Sequence, residues 1–294
     1  MHKLWVIVDG NNTAHRASHT VGHLSYGEDR TGVVYGFLSQ VRSFMDMFDP
    51  RGVVLAFDHG RSIRFKEYSK YKHKRIEAYA KMDEQQLFER QELRRQIEQL
   101  KKKTLKKMGF RNVLYAKGFE ADDVIGSVCQ NLPKKQTAII VSTDHDFYQL
   151  LSERVTIYDP KMSEFYTSKH LAEEFGIEPS LWTDVKAIAG CYSDDIEGVE
   201  GVGEKSAAKY LAGKLKRTSQ YFTRITEGNR IWRRNLPLVV LPHADTPKFK
   251  LRKDKVTTEK WNHATSEFGI AGVKKRKKNG EKEKKKKVDK GFLV

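Results

Sequence analysis

Acidic side chains in this sequence stand where apolar runs stop. Residues 4–8 run into Asp9, residues 53–57 into Asp58, and residues 138–141 into Ser142-Thr143-Asp144-His145-Asp146. A weaker apolar run at 113–116 is followed by Glu120-Ala121-Asp122-Asp123, which opens a helical pattern. Carboxylates brought close together raise one another's pKa unless a cation offsets them. Several hard oxygen ligands in one place suit Mg²⁺ or Mn²⁺. Helix capping and the helix dipole account for one or two acids at a helix start. They do not account for three acids in four residues together with strand-end acids from three other places. The set reads as a divalent-metal site.

Strands and helices must bring those acids together. The runs at 4–8, 53–57 and 138–141 have the length and composition of buried parallel strands, with 113–116 as a weaker fourth. Between them, Val33, Val34, Phe37, Leu38, Val41 and Phe44 recur at helix spacing, as do Val124, Ile125, Val128 and Leu132. Strands alternating with helices predict an α/β fold with a parallel sheet. Ligand sites in such sheets lie outside the C-terminal strand ends. One edge should therefore collect all the acids. Residues 76–108 depart from the pattern: they are rich in Glu, Gln, Lys and Arg, with Leu87, Phe88, Leu93, Ile97, Leu100 and Leu105 between. They predict a charged amphipathic helical excursion between two strands. The chain divides into a core over 1–180, a mostly helical unit with a C-terminal core segment over 181–270, and a Lys-rich tail over 271–294 expected to be disordered. No internal repeat is visible.

Two further features are suited to a polyanion. Just after Asp58 come Arg61, Arg64, Lys66, Lys70, Tyr71, Lys72, Lys74 and Arg75, basic residues with an interleaved ring that can bind phosphates and stack on a base. Later, Gly198, Gly201 and Gly203 precede Glu204-Lys205-Ser206-Ala207. Closely spaced glycines before a helix expose backbone N–H groups that can hold a phosphate. A P-loop is excluded because its Gly-Lys-Ser/Thr spacing is absent, and no convincing strand leads in as a Rossmann turn needs. The net charge of +17 is concentrated: residues 61–110 hold 16 Lys/Arg against 7 Asp/Glu, and residues 271–294 hold 11 against 3. The rest is near neutral, which points to local polyanion contacts.

Other classes fall away. No apolar run approaches the ~20 residues of a membrane span, and the short apolar start, broken by Asp9, is not a signal peptide. Cys129 and Cys191 make neither a disulfide framework nor a Cys-rich zinc site, which fits a reducing cytoplasm. No Ser/His/Asp constellation is present. His145, between two acids, reads as a spacer facing the sheet rather than a ligand.

Taken in order, Val8-Asp9-Gly10-Asn11-Asn12, Ala56-Phe57-Asp58, Tyr71-Lys72-His73-Lys74-Arg75, Gly118-Phe119-Glu120-Ala121-Asp122-Asp123, Ser142-Thr143-Asp144-His145-Asp146 and Ile196 through Gly203 resemble the motifs of flap endonucleases and 5′→3′ exonucleases. Trp232-Arg233-Arg234-Asn235-Leu236 and Val239-Val240-Leu241-Pro242 resemble the free-standing bacteriophage members. The resemblance covers roughly residues 3–245. It implies a PIN-like α/β nuclease with a helical arch over about 66–110 and a helix–three-turn–helix DNA-binding element over about 184–215. It implies that Asp9, Asp58, Glu120 and Asp122 hold one Mg²⁺ or Mn²⁺, with Asp123 close by, and that Asp144, Asp146 and Asp194 serve a second. It implies scissile-phosphate contacts from Lys72 and Arg75. Further DNA contacts are expected from Arg16, Arg61, Arg64 and Lys74, and from Lys205 and Ser206 beside the glycine hairpin, with K⁺ joining that hairpin to DNA. Tyr71 is expected to stack on the terminal nucleotide.

One departure stands out. The family reads Gly-Asp-x-x-Asp-Asn before the hairpin, whereas this chain reads Gly190-Cys191-Tyr192-Ser193-Asp194-Asp195. Cys191 replaces a second-ion acid, and a thiol is a poor Mg²⁺ ligand. The implied function is metal-dependent hydrolysis of phosphodiesters in branched, nicked or 5′-ended DNA, with RNA–DNA hybrid as a further substrate, by a monomer in the cytoplasm (the host's, for a phage protein). The apolar end Gly291-Phe292-Leu293-Val294 would dock on a replication partner. Two rivals are a catalytically weak DNA-junction binder, favoured by Cys191, and a PIN-type ribonuclease, which would lack arch and hairpin. A HAD-like phosphatase is excluded, since Asp9-Gly10-Asn11 lacks its Asp-x-Asp.

Overall fold

The computed structural model describes residues 3–270. Its centre is a six-stranded sheet. The first strand, β1 (Leu4–Asp9), leads straight into α1 (Gly10–Val21), whose N-terminus is capped by the Asp9 carboxylate accepting from Asn12 N–H at 2.9 Å. A small hairpin, β2 (Ser25–Tyr26) and β3 (Asp29–Arg30), turns the chain into α2 (Gly32–Phe48) and then β4 (Gly52–Ala56). The excursion follows: a short α3 (Arg64–Glu67), then α4 (His73–Ala80) and α5 (Glu84–Gln99), a π-helical turn (Leu100–Thr104), and α6 (Leu105–Met108). The chain returns through β5 (Asn112–Leu114) and α7 (Ala121–Gln130) to β6 (Thr137–Val141). A 3₁₀ turn (His145–Leu150) precedes β7 (Val155–Asp159) and β8 (Glu164–Tyr166).

The sheet order is β5-β4-β1-β6-β7-β8. All neighbours run parallel except β7 and β8, which pair antiparallel. The parallel α/β architecture is as the sequence predicts. The two strands beyond β6 are an addition that the sequence reading lacks. They form an edge hairpin whose alternating burial is weaker than the continuous apolar runs of the central strands.

Both faces of the sheet are covered. Trp5, Ile7, Val54, Ala56 and Ile140 point to one core, packed by α7 and by helices of the second half of the chain. Val6, Val8, Val53, Leu55 and Ile139 point to the other, packed by α2 and by α5. Strict alternation along β1 follows from the two-residue period of a strand. The second half continues through α8 (Ser168–Phe175), α9 (Trp182–Ala189), the two-residue pair β9 (Gly190–Cys191) and β10 (Ile196–Glu197), then α10 (Glu204–Leu211), α11 (Gln220–Glu227), α12 (Asn229–Val239) and α13 (Thr258–Ser266). Among the described residues, no helix is long and apolar enough to cross a membrane. The tail from residue 271 and its apolar end, expected to contact DNA and a partner, lie outside the described residues.

Candidate active site

The C-terminal rim of the sheet carries the acids. Asp9 ends β1 and is buried at 7% exposure. Asp58 lies two residues beyond β4. Its carboxylate accepts from Ala121 N–H at 2.8 Å, and its own N–H donates to Asn11 Oδ1 at 3.0 Å. Those two bonds tie the ends of β1, β4 and α7 together. Asp144 follows β6, caps the 3₁₀ turn and accepts from Asp146 N–H at 2.8 Å. Asp122 sits in the first turn of α7.

Electrostatics shows that these groups meet. Burial pushes Asp9 up to about 7, helped by Asp58 and Asp144. Asp122 is raised well above the usual carboxylate range by burial, then by Asp9, Asp144 and Glu120. Asp144 is raised by the protein around it and by Asp146, although its side chain reaches solvent, which limits that push. Four strands or helix starts thus converge on one patch whose negative charge the protein leaves partly unbalanced. Among the described residues, no three His, Cys, Asp or Glu side chains stand close enough together to hold a metal ion as the side chains are placed. An open set of carboxylates is chemically suited to a hard divalent cation that keeps part of its water shell.

The remaining acids are already neutralised by the chain. Glu120 accepts from the Tyr71 hydroxyl at 2.6 Å and forms a very close ion pair with Lys72. Asp194 lies 2.9 Å from Arg75 Nη2, 3.6 Å from Lys72 Nζ and 3.2 Å from the Tyr71 hydroxyl. Lys72 also donates its backbone N–H to Asp194 O at 2.8 Å. Lys72 is nearly buried; burial alone would lower its pKa, but Glu120 and Asp194 hold it up and keep it charged. Asp146 pairs at 2.9 Å with Lys186, which reaches Glu204 at the same distance.

Three expectations need correction. Asp123 is fully buried and saturated: Arg64 grips it through two bonds of 2.6 and 2.8 Å, and His243 N–H donates to it at 2.9 Å. It has no oxygen left to face an ion. Arg64 is 2% exposed and also donates to the carbonyls of Leu238 and Val240, so it is a buried strut and not a DNA contact. Tyr71 is 1% exposed, with its hydroxyl on Glu120 and its ring edge-on to Phe65, so it has no free face for a nucleotide. A fourth, smaller reading also changes: His145 is exposed and stacks on Tyr148 at 4.7 Å.

Other expected contacts stand at the surface. Arg61 lies over the Phe65 ring at 4.5 Å, and Lys74 pairs with Asp195 at 3.0 Å and lies over the Tyr192 ring. Burial lowers the pKa of Arg16, on α1, against the opposing pull of Asp159 and Tyr158, which places it toward the β7 end of the rim. Cys191 is buried at 7% exposure, 3.1 Å from Ser193 Oγ. Burial, with Asp146 and Asp194 beside it, pushes its thiol up to about 11, so it stays neutral at the position where the resemblance implies an acid.

The glycine hairpin is built as a rigid loop. Val199 and Val202 are buried in the core, and a Cβ on Gly198 would come within 2.2 Å of the Ala189 backbone. Gly201 has φ +70°, a left-handed conformation that favours glycine. Space around Gly203 is open, and it caps α10, with Lys205 exposed and Ser206 half-buried just behind. Asn235, fully buried, donates to the carbonyls of Ala187 and Glu197 at 2.9 Å and so clamps α12, α9 and β10 together.

Sequence reasoning missed the buried cations. Lys186 and Lys101, at 7% and 2% exposure, bridge Asp146 to Glu204 and reach the Asp58 carbonyl at 3.2 Å. A lone Lys in a helical stretch looks like surface charge; only its place opposite strand-end acids distinguishes it. Asn11 carried a signal, since it sits inside the Val8–Asn12 motif.

Similarity to known proteins decides the family. The sequence model of the 5′-3′ exonuclease N-terminal, resolvase-like domain matches residues 4–176. The chain belongs to the 5′-3′ exonuclease family. It is 31% identical over 212 residues to the 5′-3′ exonuclease of Aquifex aeolicus, covering 71% of this chain and 69% of that protein. It is 32% identical to DNA polymerase I of Caldicellulosiruptor bescii over 70% of its own length, but spans only 24% of that polymerase. Among solved structures, bacteriophage T5 5′-exonuclease with bound zinc superposes with a TM-score of 0.70 at 23% identity, covering 81% of this chain and 90% of the other. A T5 D15 flap endonuclease complex with DNA and metal ions gives 0.69 at 23% identity, covering 81% and 89%. These structures share the PIN-like fold.

Proposed function

We propose that this protein is a structure-specific 5′-nuclease that hydrolyses phosphodiesters in flapped, nicked or 5′-ended DNA. The observation that carries the reading is the convergence of Asp9, Asp58, Asp122 and Asp144 on one rim, with Lys72 and Arg75 poised over it. Asp9, Asp58, Glu120 and Asp122 would hold one divalent ion, and Asp144, Asp146 and Asp194 would hold a second. Such ions, when bound, supply a water of lowered pKa and stabilise the leaving oxygen.

The chain's own part is binding, orientation and charge. Lys72 and Arg75 now neutralise Glu120 and Asp194. With divalent ions held by those acids, Lys72 and Arg75 would be free to contact a phosphate and would offset the charge that develops on its oxygens. The hairpin of Gly198, Gly201 and Gly203, with Lys205 and Ser206, holds the duplex backbone without reading sequence, with K⁺ as its companion ion. Arg16, Arg61 and Lys74 extend that positive track. RNA–DNA hybrid, a replication partner, a monomeric state and a cytoplasmic setting belong to the same proposal.

The test is cleavage of 5′-labelled flap, nicked and blunt duplexes with and without Mg²⁺. Mg²⁺-dependent products ending in 5′-phosphate and 3′-hydroxyl support the assignment. Tight flap binding with no cleavage at any Mg²⁺ or Mn²⁺ concentration makes the protein a junction binder instead, the reading that Cys191 favours.

A further inference from the structure

Tyr71 is buried, which leaves the stacking role it was expected to fill without an occupant. A second ring stands close by. Tyr79 and Ile76, three residues apart on α4, share one face and are 37% and 47% exposed. Opposite them on α5, Arg90 and Arg94 lie 5.0 and 5.6 Å from the Tyr79 ring centroid. Together with Phe65 they line a cavity of about 250 Å³ that opens on Lys72 and Arg75.

Each property of this cavity selects the same ligand. Its cations are Lys72, Arg75, Arg90 and Arg94, and no acid lines it. The Arg90 pKa is lowered first by burial, then by Arg94. An apolar partner alone would leave the guanidinium groups of Arg90 and Arg94 unmatched. A simple anion would leave Tyr79, Ile76 and Phe65 unused. A nucleotide matches both, with a π-face for the ring and phosphates for the arginines. Position decides which nucleotide: the cavity adjoins Lys72 and Arg75, so on the proposed function its occupant is next to the phosphate being cut, and a base seated between two helices cannot be paired in a duplex.

We infer that Tyr79, backed by Ile76 and flanked by Arg90 and Arg94, stacks the first unpaired nucleobase adjoining the scissile phosphate. This rests on the nuclease reading and adds a base-holding subsite to it. Stacking of this kind tolerates any base, since each has a π-face.

The experiment is a cycle on 5′-flap DNA. Wild type and Tyr79→Ala each receive flaps with a base or an abasic residue at the first unpaired position, with KM and kcat measured separately. Tyr79→Ala should raise KM about tenfold on the intact flap, the abasic site should do the same to wild type, and the combination should cost no more than either. Tyr79→Trp should restore KM. Arg90→Gln and Arg94→Gln should raise KM on both flaps. Independent, multiplying losses, or an effect of the arginines alone, would make the cavity a phosphate contact and overturn the inference. A 2-aminopurine at the same position, read by fluorescence in EDTA, reports stacking without cleavage. Quenching lost in Tyr79→Ala supports the subsite even if the wild type fails to cut, so failure of the nuclease reading stays distinguishable.

Discussion

Asp9 binds its proton more tightly in the folded chain than in the unfolded one, because burial and its neighbours Asp58 and Asp144 oppose its charge. The sign follows from linkage: metal-free protein should lose stability as pH rises from the unfolded value near 4 to about 7. A saturating divalent ion compensates the repulsion and should flatten that fall. Melting temperature against pH, with Mg²⁺ and with EDTA, measures both limbs; parallel curves would remove Asp9 from the ion's surroundings. Asp58→Ala should abolish cleavage, by about a thousandfold or more, while flap affinity in EDTA changes little. Arg64 belongs to another category. Removing it strands the fully buried Asp123 charge, which should cost about 3–5 kcal/mol in urea unfolding. Arg64→Lys should recover only part, since an ammonium cannot span Asp123 and two carbonyls at once. An unchanged urea midpoint for Arg64→Ala would restore Arg64 to the surface role first expected of it.

Among elements, the glycine hairpin separates structure from contact. Gly198→Ala forces a Cβ into the Ala189 backbone and should both destabilise the protein and weaken DNA binding. Gly203→Ala meets nothing within 4 Å. Its melting temperature should hold while DNA affinity falls several-fold, because the methyl group occupies room that a phosphate would use. Equal affinity for Gly203→Ala and wild type would place the DNA backbone elsewhere. The strands that deliver Asp9, Asp58 and Asp144 were legible because each is a continuous apolar run with a carboxylate at or just past its end. β7 and β8 were not, since an edge hairpin buries one side and breaks the run. Tyr71 and Arg64 were misjudged for a related reason. A basic, aromatic stretch reads the same whether its side chains face solvent or fold inward, and the partners that pull these two inward, Glu120 and Asp123, are about 50 residues distant or more. Lys186 hides by the same logic: its partners lie on the 3₁₀ turn and on α10.

For the whole molecule, the last described stretch acts as a strap. Residues 241–270 place Leu241, Phe249 and Leu251 in one core and Trp261 and Phe268 in the other. Between them Asp254 accepts from the N–H groups of Val53 and Arg111 at 2.7 and 2.8 Å, tying β4 to the entry of β5. Truncation after residue 240 therefore strips both faces of the sheet and should abolish cooperative unfolding. Truncation after residue 270 removes none of those interactions but takes away 11 Lys/Arg and 3 Asp/Glu. Its melting temperature should match the full chain, and its DNA affinity should fall less steeply with salt, by roughly 0.7–0.9 in the log–log slope for each phosphate that the tail no longer neutralises. Fluorescence anisotropy of a labelled flap across a salt series reads that slope directly. An unchanged slope would leave the arch and the glycine hairpin as the whole electrostatic footprint, and the residual slope would then count the phosphates that those two elements hold.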